Sequence, residues 1–256
     1  MRIVMLGAGG KLGRLLKPRW QGDALWTTRA DVDIADPDAL AGALEGANAI
    51  FCLAGVTHGS DAPMELNTTL ARQTLDAAGG AHVFLFSSAA IYGALQGALI
   101  ESGPTSPLSH YASTKLDMER MAAAHPNPST SLRLGNVAGA DAILGGWKPG
   151  FQLDQLDDGT TPARSYIGPG KLAEVLNALT RHDSLPKVLN IAAPRAVHMG
   201  DLLDAAALEW TPRPATDRTI ARVYLDTSSL EQFTSFSESD STAAGIVADW
   251  TEGART

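Results

Sequence analysis

The sequence predicts an α/β fold, a doubly wound parallel sheet carrying a small C-terminal substrate lobe. Three observations predict it. Short apolar runs alternate with helix-patterned stretches at regular spacing, without an internal repeat. The first run breaks directly into a glycine turn, Gly7-Ala-Gly-Gly-Lys-Leu-Gly13, that opens a helix. Later runs deliver Ser87-Ser88 and Gly135-Asn136 at their carboxyl ends, the edge where such sheets bind ligands.

Arg2 to Leu6 reads as a short buried strand, and Leu12 to about Trp20 as a helix stopped near Pro18. Strand, glycine turn and helix together point free backbone N–H groups at a phosphate. Gly7, Gly10 and Gly13 permit a tight turn, close approach of a pyrophosphate and close helix packing; Lys11 and Leu12 lie in the same cofactor-binding turn. Ala24 to Thr28 is the second strand. An Asp or Glu at its end selects NAD, whereas an Arg accommodates the 2′-phosphate of NADP. Here Arg29 follows at once and Asp31 comes late, which slightly favours NADP over NAD.

Asp36 reads as a helix N-cap with Pro37 in the first helical position. The segment before it is too short for a crossover plus a third strand, so that edge strand is expected to be missing or vestigial. Further strands are predicted at Ala49 to Leu53, ending in Ala54-Gly55, and at His82 to Phe86, with a helix from about Ala62 to Ala78 between them. A Gly-, Ser- and Pro-rich loop from Gly93 to Pro107 precedes the helix bearing Tyr111 and Lys115. Thr130 to Leu134 returns as a strand.

Beyond Gly139 the texture loosens. A short strand is predicted at Phe151 to Gln155, helices at Pro169 to Thr180 and Met199 to Trp210, and strands at Val188 to Ala192 and Arg222 to Leu225. Ser235 to Thr242 is polar and expected to be exposed. The organisation predicted is a nucleotide-binding domain over 1–139 and about 166–192, with the lobe formed by about 140–165 and 193–256.

The 256 residues are 45% apolar and 19% charged, ordinary for a globular chain with a sizeable core. A net charge of −8 without a basic stripe argues against a nucleic-acid surface and for a small-molecule partner. Cys52 is the single cysteine, inside an apolar run, and the six histidines lack metal-ligand spacing, so neither disulfides nor a metal are expected. The apolar run before Gly7 is too short for a signal peptide or membrane span; a cytoplasmic protein without a membrane partner is expected.

The chemistry centres on Tyr111-Ala-Ser-Thr-Lys115. Residues four apart share a helix face, so a phenol and an ammonium address one point. Making a phenol of pKa ~10 useful at neutral pH takes about 4 kcal/mol, which one cation ~4 Å away supplies at an effective dielectric of ~20.

Together these strings resemble the extended short-chain dehydrogenase/reductase family, the NAD(P)-dependent epimerase/dehydratase group with its Rossmann-like fold. The residues that carry the resemblance are Gly7, Gly10 and Gly13, then Asp33-Ile34, Leu53-Ala-Gly55 and Asn67. With them go Phe86-Ser-Ser-Ala-Ala-Ile-Tyr-Gly93, Pro107-Leu-Ser-His-Tyr-Ala-Ser-Thr-Lys115, Leu132-Arg-Leu-Gly-Asn-Val137 and Arg164-Ser-Tyr-Ile167. The resemblance covers about residues 1 to 210.

It implies that Tyr111 is the general acid/base, that Lys115 holds the nicotinamide ribose and lowers the Tyr111 pKa, and that Ser88 bonds the reacting oxygen. Ser87 is expected to point to the other face of the strand. Gly7, Gly10, Lys11, Leu12, Gly13, Arg29, Asp33, Ile34, Leu53, Ala54, Gly55 and Asn67 would line an NAD(P) site, with Asp33 and Ile34 at the adenine. His58, Asn136 and Arg164 are the candidates on the substrate side. A homodimer packed through the helices near 62–78 and at Tyr111 follows from the same resemblance.

The function implied is an oxidoreductase of epimerase or dehydratase type acting on a sugar or nucleotide-sugar hydroxyl or carbonyl. Two other readings stay open: a carbonyl reductase of a small non-nucleotide substrate, since the span from Asn136 to Arg164 is short, and a non-catalytic NAD(P)-sensing regulator.

Overall fold

The structure, a computed structural model, describes residues 1–57 and 61–253. In chain order its elements are β1 (Ile3–Leu6), α1 (Lys11–Leu16), β2 (Leu25–Thr27), α2 (Pro37–Leu44), β3 (Ala49–Cys52), α3 (Leu66–Ala77), β4 (His82–Ser88), β5 (Ala98–Leu99), α4 (His110–Ala124) and β6 (Ser129–Leu134). Then come β7 (Asn136–Val137), β8 (Gln152–Gln155), β9 (Ala163–Ile167), α5 (Pro169–Leu179), β10 (Val188–Ile191), β11 (Ala196–His198), α6 (Met199–Ala205), β12 (Thr211–Pro214), β13 (Arg222–Leu225) and α7 (Ala243–Glu252).

The central sheet runs β2-β1-β3-β4-β6-β10 with every neighbouring pair parallel. Its inner strands β1 and β3 are apolar throughout because both faces are covered, and the period of two sorts the sheet's side chains. Ile3, Met5, Phe51 and Phe84 join Leu16 of α1 and Leu172, Leu176 and Leu179 of α5. Val4, Leu6, Ile50, Val83 and Leu85 face Leu40 and Leu44 of α2, Ala71 and Leu75 of α3, and Met118 and Ala122 of α4. This is the doubly wound sheet predicted.

Beyond β2 the chain passes straight to α2, whose N-cap Asp36 accepts from the N–H groups of Asp38 and Ala39 behind Pro37. Among the described residues no strand flanks the outer edge of β2, the shortening read from the sequence.

Several boundaries differ. The first helix ends at Leu16 and tightens into a 3₁₀ turn at Lys17–Arg19, since Pro18 has no N–H to continue the ladder. The third helix starts at Leu66. The sixth stops at Ala205, where Ala207 turns to φ +51 and the Trp210 indole bonds the Asp204 carboxylate.

Helix α7 is absent from the sequence reading, because its stabilising contacts come from distant segments. Thr242 caps it by accepting from the N–H of Gly245, and Ile246 and Val247 are buried. The Asp249 carboxylate accepts from the N–H groups of Gly170 and Lys171, capping α5 from across the molecule, while the Arg19 guanidinium donates to the Asp249 and Trp250 carbonyls.

A third apolar cluster, including Ala138, Leu144, Leu153, Tyr166, Leu202, Leu203 and Ile246, fills the lobe side. There β9 lies between β11 and β13, β5 pairs with β13, and β7 pairs with β9. Among the described residues no helix is long and apolar enough to cross a membrane.

Candidate active site

The glycine turn is explained position by position. Gly7 has φ +84, and a Cβ there would lie 2.5 Å from the Ala54 nitrogen, so β1 and the end of β3 meet only through glycine. A Cβ on Gly13 would lie 2.3 Å from the Ala8 carbonyl oxygen, so the helix packs on its own turn only without a side chain. Gly10 differs, since its Cβ would meet only the Gly7 carbonyl oxygen at 3.4 Å. Space therefore lies open above Gly10 at an uncapped helix start, the cradle a pyrophosphate would fill. Lys11 is exposed and Leu12 half-buried against the core.

The turn is pinned to the next strand by the N–H groups of Gly7 and Ala8, both donating to the Thr27 carbonyl. Arg29 follows with an exposed side chain. The Asp31 carboxylate is occupied locally, accepting from both the N–H and the hydroxyl of Thr28, and those bonds hold it below the usual carboxylate range. Asp33 is exposed and accepts from the Ala35 N–H. Ile34 is a core side chain packed among the residues behind the sheet.

Leu53 and Ala54 are half-buried where the end of β3 meets Gly7. Gly55 lies against the Asn67 and Lys115 side chains: its Cβ would be 2.8 Å from Asn67 Oδ1 and 3.5 Å from Lys115 Nζ. Asn67 itself is 2% exposed, accepts from the Val56 N–H, and donates to the carbonyls of Val56 and Met64. Its amide holds the loop after β3 and lies beside Gly55, on the side of Lys115.

Helix α4 begins at Ser109, whose hydroxyl accepts from the Ala112 N–H. Tyr111 stands one residue into the helix, its phenol directed to Ser88 at the carboxyl end of β4. The Ser88 oxygen accepts from the Ala90 N–H, which fixes the hydroxyl's position. Burial pushes the Tyr111 phenol above its usual range and Ser88 opposes that shift.

Lys115 is 6% exposed, and its Nζ donates to the Phe86 carbonyl at 2.7 Å. Burial lowers its pKa to about 8, with the nearby Cys52 thiol acting in the opposite direction. The ammonium lies 5.9 Å from the centre of the Tyr111 ring. In this structure the amine donates to a backbone carbonyl, and burial is the leading influence on the phenol.

Ser87 points to the other face of β4 and donates to the buried Glu119 carboxylate at 2.5 Å. Glu119 and Arg133, a buried ion pair at 2.8 Å between α4 and β6, escaped the sequence reading. A signal was there, because Glu119 continues the four-residue spacing of Tyr111 and Lys115, and Arg133 interrupts an apolar strand.

On the lobe side, Asn136 begins β7 and stands opposite Tyr166 of β9 in the strand register. The Tyr166 hydroxyl donates to Asp141 at 2.7 Å, and burial raises its pKa well above the usual value. Arg164, two residues before Tyr166, is half-buried and donates to the Ala163 carbonyl. It makes no ion pair among the described residues. His58 lies outside the described residues. Among the described residues no group of three or more His, Cys, Asp or Glu could hold a metal.

The site thus forms a continuous path: glycine turn to Ala54, Gly55 to Lys115, Lys115 to Phe86, Ser88 to Tyr111. A hollow of about 600 Å³ in the lobe, lined by residues including Phe151, Asp204 and Trp210, contains none of these groups.

Residues 3–146 match the model of the NAD dependent epimerase/dehydratase family. Comparison with curated protein sequences gives no match. Among solved structures the chain is similar to a UDP-glucose-4-epimerase from Stenotrophomonas maltophila with bound NAD and formylated UDP-arabinopyranose: TM-score 0.79, 18% identity, 100% of this chain and 98% of that one covered. It is similar also to RMD from Pseudomonas aeruginosa complexed with NADPH: TM-score 0.74, 18% identity, 100% and 99% covered. A third is a mutant UDP-glucuronic acid 4-epimerase from Bacillus cereus, in complex with a fluorinated UDP-glucuronic acid and NAD: TM-score 0.75, 16% identity, 100% and 99% covered.

Proposed function

This chain belongs to the NAD-dependent epimerase/dehydratase family and is an enzyme of the extended short-chain dehydrogenase/reductase type; on that premise we propose that it oxidises or reduces a sugar or nucleotide-sugar carbon through Tyr111, Ser88 and Lys115. The observation that carries the reading is the convergence of Ser88 at the sheet edge, the Tyr111 phenol that feels it, and the buried Lys115 amine one helical turn away, held by the Phe86 carbonyl.

The fit to a dinucleotide rests on the open space at Gly10 and on the closeness of Gly55 to Lys115. When bound, the oxidised nicotinamide supplies a hydride acceptor and a positive charge. As the phenolate, Tyr111 would accept the substrate hydroxyl proton during oxidation, and as the phenol it would return that proton to the carbonyl oxygen during reduction; the positive charges of Lys115 and of a bound oxidised nicotinamide would favour the phenolate. Ser88 holds the same substrate oxygen by a hydrogen bond. Lys115 has three donors; one serves Phe86, and the others are available to the nicotinamide ribose.

Two features bear on specificity. The exposed Arg29 at the end of β2, beside an Asp31 already bonded to Thr28, slightly favours NADP. The half-buried Arg164 guanidinium, without an ion-pair partner among the described residues, suits the diphosphate of a nucleotide sugar. A second reading, reduction of a small carbonyl compound, is favoured by the short passage from β7 to β9, which carries only β8 and no helix.

The test is a screen of nucleotide sugars and small ketones with NAD(H) and NADP(H). An epimerase recycles its cofactor, whereas a reductase depletes it. Tyr111→Phe is expected to lower turnover by about 10²–10⁴-fold. Cofactor binding without any turnover in the native protein would instead point to a regulator.

A further inference from the structure

Helix α4 carries Tyr111, Lys115 and Glu119 at four-residue spacing, one stripe along a single face. All three members of the stripe reach the same short piece of β4. The Tyr111 phenol is set at Ser88, the Lys115 amine donates to the Phe86 carbonyl, and Glu119 accepts from Ser87. Three successive residues of one strand thereby meet three successive turns of one helix.

The third tie is unlike the other two, because neither of its members faces the ligand edge. Glu119 is 5% exposed, and Arg133 on β6 grips it twice over, Nε at 3.1 and 3.2 Å from its two oxygens and Nη2 at 2.8 Å. Arg133 is fixed in turn, donating through Nη1 to the Tyr92 hydroxyl at 2.8 Å and to the Glu101 carbonyl at 3.0 Å, while its guanidinium lies 5.0 Å from the Tyr92 ring centre. The Tyr92 hydroxyl donates onward to Asn190 of β10 at 2.9 Å. The carboxylate therefore cannot slide along the helix axis without breaking contacts to β4 and β6 at once.

We propose that Ser87 and Glu119, anchored by Arg133, are positioning residues that set the height of α4 on β4 and so hold the Tyr111 phenol at Ser88. The inference rests on the reading of Tyr111 as the acid/base, but its decisive measurement does not need the substrate. If α4 slips, the phenol moves away from Ser88, which opposes the effect of its burial. The other groups facing this cluster are Lys115 on the same helix and, beside Lys115, Cys52 on β3. Neither is altered by a change at Ser87.

The experiment is an ultraviolet difference titration of the Tyr111 phenol in the full chain, with Tyr111→Phe subtracted, for the native protein and for Ser87→Ala, Glu119→Ala and Glu119→Gln. Ser87→Ala removes one hydroxyl and leaves the ion pair whole, so the protein still folds. The phenol midpoint is expected to rise by about one pH unit in Ser87→Ala and at least as far in Glu119→Ala. Glu119→Gln keeps an acceptor for Ser87 and is expected to recover at least half of that shift. Where a turnover assay exists, kcat falls about 10–100-fold in Ser87→Ala with KM within about twofold.

A Ser87→Ala phenol that titrates with the native midpoint overturns the proposal, whatever happens to thermal stability. So does failure of Glu119→Gln to recover more than Glu119→Ala. A shifted midpoint in a protein that turns over no substrate supports the positioning role and counts instead against the catalytic reading.

Discussion

Lys115 is held at a cost to stability, and replacing it by methionine should make that cost measurable. The folded protein binds its ammonium proton only up to about pH 8, against 10.5 for the free side chain. Between those values the unfolded chain carries more protons than the native one, so stability rises with pH through the window. Below pH 8 the full cost applies, about 3 kcal/mol at 1.36 kcal/mol per unit. Lys115→Met removes that term and loses the bond to the Phe86 carbonyl, worth about 1–2 kcal/mol.

The net expectation at pH 7 is a gain of about 1–2 kcal/mol, or roughly 2–6 °C in Tm, with turnover lost. The advantage should shrink steadily above pH 8 and reverse near pH 10.5, where the native amine is neutral in both states. Urea unfolding followed by tryptophan fluorescence at pH 7, 9 and about 10.5 measures it. A variant destabilised by the same amount at every pH would show that burial does not disfavour the ammonium, and the reasoning would fail.

The two glycines of the turn should separate. Gly13→Ala forces a methyl against the Ala8 carbonyl and is expected to lose about 2–3 kcal/mol in thermal unfolding; Gly10→Ala should stay within about 0.5 kcal/mol yet abolish the NAD(P)H fluorescence shift. Arg29→Asp should raise the NAD-to-NADP ratio of kcat/KM by about tenfold or more, since an acidic side chain there accepts from the ribose 2′-hydroxyl and repels a 2′-phosphate; an unchanged ratio would remove Arg29 from the site. Asp249→Ala leaves two N–H groups at the start of α5 uncapped and is expected to cost about 1–2 kcal/mol by denaturant unfolding, with Asp249→Asn milder.

The parts of the molecule legible in the sequence were those fixed by local chemistry. Asp36 before Pro37 announces a helix start, the glycines at 7 and 13 announce close backbone approaches, and a four-residue spacing puts Tyr111 and Lys115 on one face. Each needs only its neighbours in the chain. What escaped depends on partners far apart. Helix α7 has a cap for α5 built into it by Asp249, and no periodicity reveals that Asp249 meets Gly170. That the Asn67 amide also closes on Val56 and Met64, holding the loop after β3, is equally invisible in the sequence. The direction of the Tyr111 shift was likewise hidden, since helix spacing gives the proximity of Lys115 without showing that its amine turns to the Phe86 carbonyl.

The cap that Asp249 places on α5 also bears on how the protein is made. Lys171 leaves the ribosome 78 residues before Asp249, about 4 to 16 s earlier at ordinary rates of synthesis. The central sheet gains its last strand, β10, within that interval, yet until residue 249 is made the first turn of α5 lacks its carboxylate and Arg19 lacks the carbonyls it will grip. A nascent chain stalled short of residue 249 should therefore be more open to protease around 168–172 than the full chain, so the face of the sheet covered by α5 becomes secure only when α7 arrives.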